Sequence, residues 1–350
     1  MSGKAVSRLD RLRASLDERL LVTSLVNVRY LTGLDSSNAA LVVDPDGPTR
    51  LYTDFRYIEV AEAVPDVEAL LAKRSLMVDL AGRLEGTLAF EADVLPYSQA
   101  QILGAAGLEL HPVTGKVEAL RAVKDEDEIE RVRRTSVAAE RAFEALTAET
   151  WIGRSERELA WRLRELLHAH GIDHLAFETA VVSGTNGSKP HGEPGHDIVV
   201  PRSLVTVDWG GSLDGYCSDC TRTLETGELP QKLRELYDVC LEAQLAAVDG
   251  IEPGMSGVEA DRLARDVIEQ AGYADNFGHG LGHGVGMLVH EAPRLASEST
   301  DTLEPGHVIT IEPGIYVPGL GGVRIEDLAV VRESGIELLT SFPKDLIAAA

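Results

Sequence analysis

Four acids and three histidines in the second half of this chain sit where their types could do chemistry. Asp208 ends the apolar run of VTVDWGG, where a carboxylate is costly to bury without a partner. Asp219 lies in the next strand-like segment, YCSDCTRTL (216–224), and the intervening GGSLDG can turn the two acids onto one face. Glu312 in TIEPG and Glu326 in VRIED repeat the arrangement further along. One apolar-flanked acid is ordinarily a structural group satisfied by its neighbours. Four held close together would repel strongly unless cations sat between them.

Three of the ten histidines fall in GHGLGHGVGMLVHEAP, as His279, His283 and His290. The five glycines among residues 278–286 argue against a helix, since each costs about 1 kcal/mol relative to Ala there. Extended backbone puts His279 and His283 on one face. The odd step from His283 to His290 then requires a bulge or a bend. A lone core histidine is usually just hydrogen-bonded, but several in a Gly-rich stretch point to a site with close backbone approach. His290-Glu291-Ala292-Pro293 lacks the second histidine of the HExxH zinc motif. The Gly-rich run lacks a P-loop lysine. Cys217 and Cys220 match CxxC, but positions three apart on a strand face opposite ways, so they read as structural.

The elements that must carry these groups show an internal echo. Ser155–Glu158 is a capping box opening a helix that stops at Gly171, and Ser256–Glu259 opens another that stops at Gly272. Each is followed by strand pairs, LVTVDWG (204–210) with YCSDCTRTL, then HVITIEPG (307–314) with GVRIEDLAVV (322–331). The offsets between matching positions are 101, 104 and 107 residues, which suggests a duplicated helix-helix-strand-strand unit. Ahead of it, Asp125 caps a long connecting helix whose inward face is Ile129, Val132, Ser136, Ala139, Phe143 and Leu146. The acidic run KDEDEIE fits helix-start electrostatics. Residues 1–115 read as a small α/β unit, with strands at 20–24, 39–44, 49–54, 86–91 and 108–112 and a helix near 96–106. Nothing in it clusters His, Cys and acids.

Composition narrows the function. A net charge of −24, from 33 Lys+Arg against 57 Asp+Glu, opposes binding to nucleic acid or to anionic lipid. No apolar run reaches the roughly 18 residues that span a bilayer. The start, MSGKAVSRLDRLRASLDERL, has no apolar h-region of a signal peptide. Three cysteines form no disulfide framework, which fits a reducing, cytoplasmic home.

Asp208, GYxSDxTRT with Asp219, GHGxGHGVG with His283, TIEPG with Glu312 and RIED with Glu326 resemble the five-ligand signature of the pita-bread metallopeptidases. That family includes methionine aminopeptidase, aminopeptidase P and prolidase. NVRYLTGL (27–34) and YTDFRY (52–57) resemble the creatinase-type N-terminal domain of the aminopeptidase P and prolidase branch. The resemblance implies an α+β fold: a pita-bread catalytic domain with pseudo-twofold duplicated units over 121–350, preceded by a smaller α/β creatinase-like domain over 1–120. It implies two divalent ions, with Asp208 on one, His283 and Glu312 on the other, and Asp219 and Glu326 bridging. His191 in KPHG, His279 and His290 match the histidines around the metals and substrate, and Arg324 matches the arginine before the bridging glutamate. Glu312 would relay a proton. Residues 34–40, LDSSNAA, carry no histidine, where some members place one that reaches a neighbouring subunit.

Such an oxygen-rich donor set suits Mn²⁺ and tolerates Co²⁺ or Zn²⁺. The implied activity is cleavage of Xaa-Pro bonds, either at peptide N-termini or in dipeptides, by a cytoplasmic homodimer acting on proline-containing peptides. Arg294 matches an arginine that meets the free carboxylate of a dipeptide in prolidase-like members. Three alternatives remain on this scaffold. A methionine aminopeptidase is disfavoured by the N-terminal domain. A metal-free creatinase-like amidinohydrolase and a non-catalytic binding protein are both disfavoured by the intact ligand set.

Overall fold

The apolar runs near the N-terminus assemble into one six-stranded sheet. Its order is Glu68–Leu71, Arg50–Thr53, Ala39–Val43, Leu20–Val22, Thr87–Glu91 and Glu109–Val113. Ala39–Val43 runs antiparallel to both neighbours, and every other pair is parallel. All five residues of Ala39–Val43 are buried, the mark of a strand covered on both faces. The computed structural model describes residues 6–73 and 75–349. The first five residues of the N-terminal segment read above lie outside that range. The chain divides between Arg121 and Ala122 into two compact units.

The sequence reading passed over several short elements of this first unit. They are the strand Glu68–Leu71 and the helices Arg8–Arg13, Leu25–Thr32, Ile58–Ala61 and Leu76–Ala81. Each is too short to show a full period of apolar spacing. Capping chemistry marks one of them: Ser24 accepts from the Asn27 N–H, and Gly33 closes the helix at φ 75°.

The second unit begins with the helix Glu126–Thr147, opened by a capping box between Asp125 and Glu128. Its inward face from Ile129 to Leu146 is buried at every position expected. Phe143 on this helix stacks on Trp209 at 3.9 Å between ring centroids. The Trp209 Nε1–H donates to the Ala139 carbonyl at 3.1 Å. Trp209 directly follows Asp208, so the packing of this helix backs the strand that carries the acid.

The duplication is visible in the ladders. Helices Glu156–Ala169 and Gly257–Gln270 both open with complete capping boxes. Gly171 and Gly272, just beyond them, take φ of 95° and 86°, which only glycine adopts cheaply. Leu204–Trp209 pairs antiparallel with Cys220–Glu225 on one side and Ala180–Ser183 on the other. In the other half, Val308–Ile311 pairs the same way with Asp327–Val331 and Gly282–Gly284.

The structure corrects the sequence reading at one point. The two long strands expected over 216–224 and 322–331 are each broken. Tyr216–Cys217 pairs with Gly211–Leu213 in one sheet, and the chain then enters another sheet at Cys220–Glu225. Gly321–Arg324 pairs with Gly314–Val317, and Asp327–Val331 belongs to a different sheet. Asp219 and Glu326 stand in these two breaks, outside the regular ladders. Periodicity cannot see a change of sheet, because the backbone stays extended through it.

Truncation of Phe143 to Ala should destabilise the protein by about 3–5 kcal/mol, the usual range for an aromatic core deletion. Urea unfolding followed by Trp fluorescence checks this. An effect below about 1 kcal/mol would remove the Phe143–Trp209 stack from the supports of the Asp208 strand.

Candidate metal centre and active site

The nine residues expected as metal ligands or catalytic groups, and Arg294 with them, line one cavity of about 670 Å³ in the second unit. Asp208, on the strand Leu204–Trp209, accepts from Arg324 Nη2 at 2.5 Å through Oδ2. Glu326 accepts from the Thr221 hydroxyl at 2.7 Å through Oε2. The second oxygens of both, Asp208 Oδ1 and Glu326 Oε1, are buried without a hydrogen-bond partner. Asp208, Asp219 and Glu326 each bring one carboxylate oxygen within 4.8 Å of the others.

Glu312 and His283 face this trio. Glu312 Oε1 accepts from the Thr310 hydroxyl at 3.0 Å and lies 3.2 Å from His283 Nε2. His283 Nε2 is 3.7 Å from Asp219 Oδ2. The His283 Nδ1–H donates to the Gly284 carbonyl at 3.1 Å. That bond fixes the tautomer and leaves Nε2 aimed at the acids, as in a ligating histidine. His279 is held at both ends: its Nδ1–H donates to Gly280 O at 2.8 Å, and its Nε2 accepts from the Tyr316 hydroxyl at 3.0 Å.

The glycines around these histidines have a specific use. A Cβ on Gly282 would meet Thr310 O at 2.0 Å, and one on Gly284 would meet Ala292 O at 2.1 Å. The close approach expected from the sequence is therefore to neighbouring backbone. The ladder between Gly282–Gly284 and Glu291–Leu295 shifts register between His283 and Gly284. This is the irregularity that the odd spacing to His290 required, and the His283 and His290 rings meet at 4.3 Å.

Two positioning groups escaped the sequence reading. Tyr316 joins Arg324, whose Nη1 donates to its hydroxyl at 3.0 Å, to His279. Its signal was its place two residues beyond TIEPG, on the strand that pairs with Arg324. Glu156 is fully buried at the start of its helix. It accepts from Ser183 N at 2.6 Å, Asn186 Nδ2 at 2.8 Å and Gly195 N at 3.0 Å. It thereby ties down the loop that bears His191. An acid at that position ordinarily reads as a solvated partner of the helix dipole, so nothing in the sequence marks it.

Charge decides what the cluster can hold. Burial first, then the neighbouring carboxylates, push Asp219 and Glu326 well above the usual carboxylate range. Burial raises Asp208 as well, against the pull of Arg324. Burial also pushes Glu312 up, but the hydrogen bond and charge of His283 in its protonated form, which the same pairing favours in the absence of cations, and the Arg324 charge bring it down to about 2. Without cations, Asp208, Asp219 and Glu326 thus hold a proton more readily than ordinary carboxylates, which eases their repulsion. The unpaired buried oxygens and the oxygen-rich donor set, with one imidazole nitrogen facing it, fit hard divalent cations.

The three thiols lie elsewhere. Cys217, Cys220 and Cys240 are all buried outside any disulfide, and they belong to three different hydrophobic clusters. Cys220 and Cys217 donate weakly to the carbonyls of Glu326 and Met287 at 3.6 Å. Cys240 donates to Pro313 O at 3.2 Å.

Residues 130–333 match metallopeptidase family M24, and residues 8–123 match the creatinase/prolidase N-terminal domain. The chain belongs to metallopeptidase family M24. Its duplicated unit is the pita-bread fold of that family. A Xaa-Pro dipeptidase of Pyrococcus furiosus is 35% identical over 347 residues, 97% of this chain and 99% of its own. A solved Xaa-Pro dipeptidase from Bacillus anthracis superposes with a TM-score of 0.94 at 37% identity, covering 97% of this chain and 99% of that one. An X-Pro aminopeptidase from Thermotoga maritima gives 0.89 at 30% identity, with 97% and 100% covered. As an M24 member, this chain is a metallopeptidase. Among its described residues, no helix is long and apolar enough to cross a membrane.

Asp219→Asn replaces a carboxylate by an amide that supplies neither its charge nor two equivalent oxygens. The variant should lose bound metal and hydrolysis while its circular dichroism stays native. Near-normal turnover would take Asp219 out of the site. Cys217→Ser and Cys220→Ser should leave activity within about twofold, since neither thiol reaches the cavity.

Proposed function

We propose that this chain is an Xaa-Pro peptidase that works with two divalent ions, Mn²⁺ by preference. The observation that carries the reading is the convergence of Asp208, Asp219, His283, Glu312 and Glu326 on one cavity. The Xaa-Pro names of the similar proteins support the substrate class. Asp208 would hold one ion, His283 and Glu312 the other, with Asp219 and Glu326 shared. When bound, such ions polarise the scissile carbonyl and lower the pKa of the attacking water.

The chain's own residues do the rest. Glu312 takes the proton from the attacking water and delivers it to the departing prolyl nitrogen. His290 or His191 donates to the oxygen that gains charge during attack. Arg324 bonds Asp208 and Tyr316, holding one acid and the His279 partner in register. The domain division at 120/121 is part of this reading. It is supported by the unit boundary between Arg121 and Ala122 and by the two family matches. A cytoplasmic setting fits three cysteines that form no disulfide. A homodimer completes the proposal, and sedimentation equilibrium tests it.

The deciding assay compares Xaa-Pro dipeptides with Xaa-Pro-Yaa tripeptides, with and without Mn²⁺. Exhaustive chelation should abolish hydrolysis, and Mn²⁺ or Co²⁺ should restore it. Full activity in protein shown by elemental analysis to be metal-free would overturn the metal role.

Within this class we favour dipeptides. Arg294 lines the cavity with His290 and Glu291 and is exposed on the strand Glu291–Leu295. A guanidinium there can grip a free carboxylate through two parallel hydrogen bonds. Arg294→Ala should then lower kcat/KM for Xaa-Pro by about tenfold, from ~1.4 kcal/mol lost. Tripeptides should change little. Equal effects on both lengths, or none, would shift the reading to an aminopeptidase.

A further inference from the structure

The loop that bears His279 is built from residues that hold a backbone poorly. Gly278 and Gly280 flank the histidine, and glycine leaves the chain its widest conformational freedom. A Cβ on Gly280 would meet Leu295 O at 2.6 Å, so that glycine is packed against neighbouring backbone, but one on Gly278 would meet nothing within 4 Å, so packing does not fix the backbone ahead of the histidine. Yet His279 lines the cavity with its ring bonded at both nitrogens. On the Gly278 side the hold must come from hydrogen bonds rather than packing.

The helix Gly257–Gln270 supplies that hold through two residues one turn apart. Asp261 is fully buried and accepts from the Leu281 N–H at 3.0 Å. The same carboxylate takes Arg265 Nε at 2.6 Å and Nη2 at 3.0 Å, a bidentate pair. Arg265 then donates onward, from Nη1 to Phe277 O at 3.0 Å and from Nη2 to His279 O at 2.8 Å. Its guanidinium also lies 4.3 Å from the centroid of the Phe277 ring. Backbone groups of Phe277, His279 and Leu281 are therefore gripped on either side of both glycines. A planar, forked cation suits this task, since the three donors of a lysine ammonium could not reproduce the bidentate carboxylate pair together with both carbonyl bonds.

We propose that Asp261 and Arg265 are positioning residues for His279, holding its loop so that the imidazole keeps one place in the cavity wall. The inference rests on the Xaa-Pro peptidase reading for its kinetic arm only. Neither residue lines the cavity, so any effect on turnover travels through the loop.

The test uses Arg265→Gln, alone and combined with His279→Ala, in the full-length protein. Loosening a reacting geometry is costly, so Arg265→Gln should lower kcat/KM for Xaa-Pro by about tenfold. Bound metal, measured by elemental analysis, should be unchanged. In the His279→Ala background the same substitution should matter by less than about twofold, because groups that act through one another are not additive. Full additivity would mean that Arg265 only stabilises the fold, and would overturn the proposal.

A second readout needs no activity. With ¹⁵N-histidine labelling of the metal-free protein, the His279 ring, identified by its loss in His279→Ala, should show a single form protonated at Nδ1. Arg265→Gln should split or broaden that signal. An unmoved His279 signal would also overturn the proposal. If the wild type cleaves no Xaa-Pro peptide, the peptidase reading fails and this arm still decides the positioning role. Should Arg265→Gln not fold, Arg265→Lys carries the same comparisons, keeping the charge while losing the fork.

Discussion

Mutual repulsion among buried carboxylates is the constraint around which the second unit is organised. Asp208, Asp219 and Glu326 converge within 4.8 Å, and Glu312 stands against the same imidazole that faces Asp219. Held without compensation, such a group would drive its own surroundings apart. The fold answers with a frame of neutral and cationic donors. Thr221, Thr310 and Arg324 each bond one acid, which fixes where the oxygens point. They do not satisfy every oxygen, and the unsatisfied ones are where divalent cations belong. Rigidity of the frame matters as much as its charge, since metal sites tolerate little displacement of their donors.

Much of this was legible in the residues. The apolar-flanked acids, the Gly-rich histidine stretch and the matched capping boxes are local patterns, and local patterns survive into the structure. The face from Ile129 to Leu146 is buried because a charged helix start and a 3.6-residue period agree about it. What stayed hidden depends on contacts far apart in the chain. The breaks at Asp219 and Glu326 arise because the chain changes sheets, and an extended backbone gives no sign of that. Glu156 reads as a solvated cap until the Ser183 and Gly195 N–H groups close over it. Tyr316 acquires its meaning only when Arg324 pairs beside it.

The two halves reach the same end by different chemistry. In one, a buried glutamate at the first position of its helix holds the His191 loop. In the other, an aspartate in the middle of its helix works through an arginine on the next turn. The duplicated scaffold thus sets where each loop must be anchored, and the side chains that anchor it have diverged. That pattern is what a repeated backbone with two distinct tasks would produce.

The placement of the thiols has a use outside catalysis. Cys217, Cys220 and Cys240 are spread over three separate hydrophobic clusters. Burial pushes the Cys220 thiol well up and Cys240 to about 12, so in the closed protein both are poor nucleophiles toward an alkylating reagent. Labelling must wait until the surrounding cluster opens. Cys220 and Cys240 therefore act as independent clocks for two parts of the core, and comparing their labelling rates would separate local fluctuations from global unfolding. The pita-bread unit carries its own native reporters of how its layers come apart.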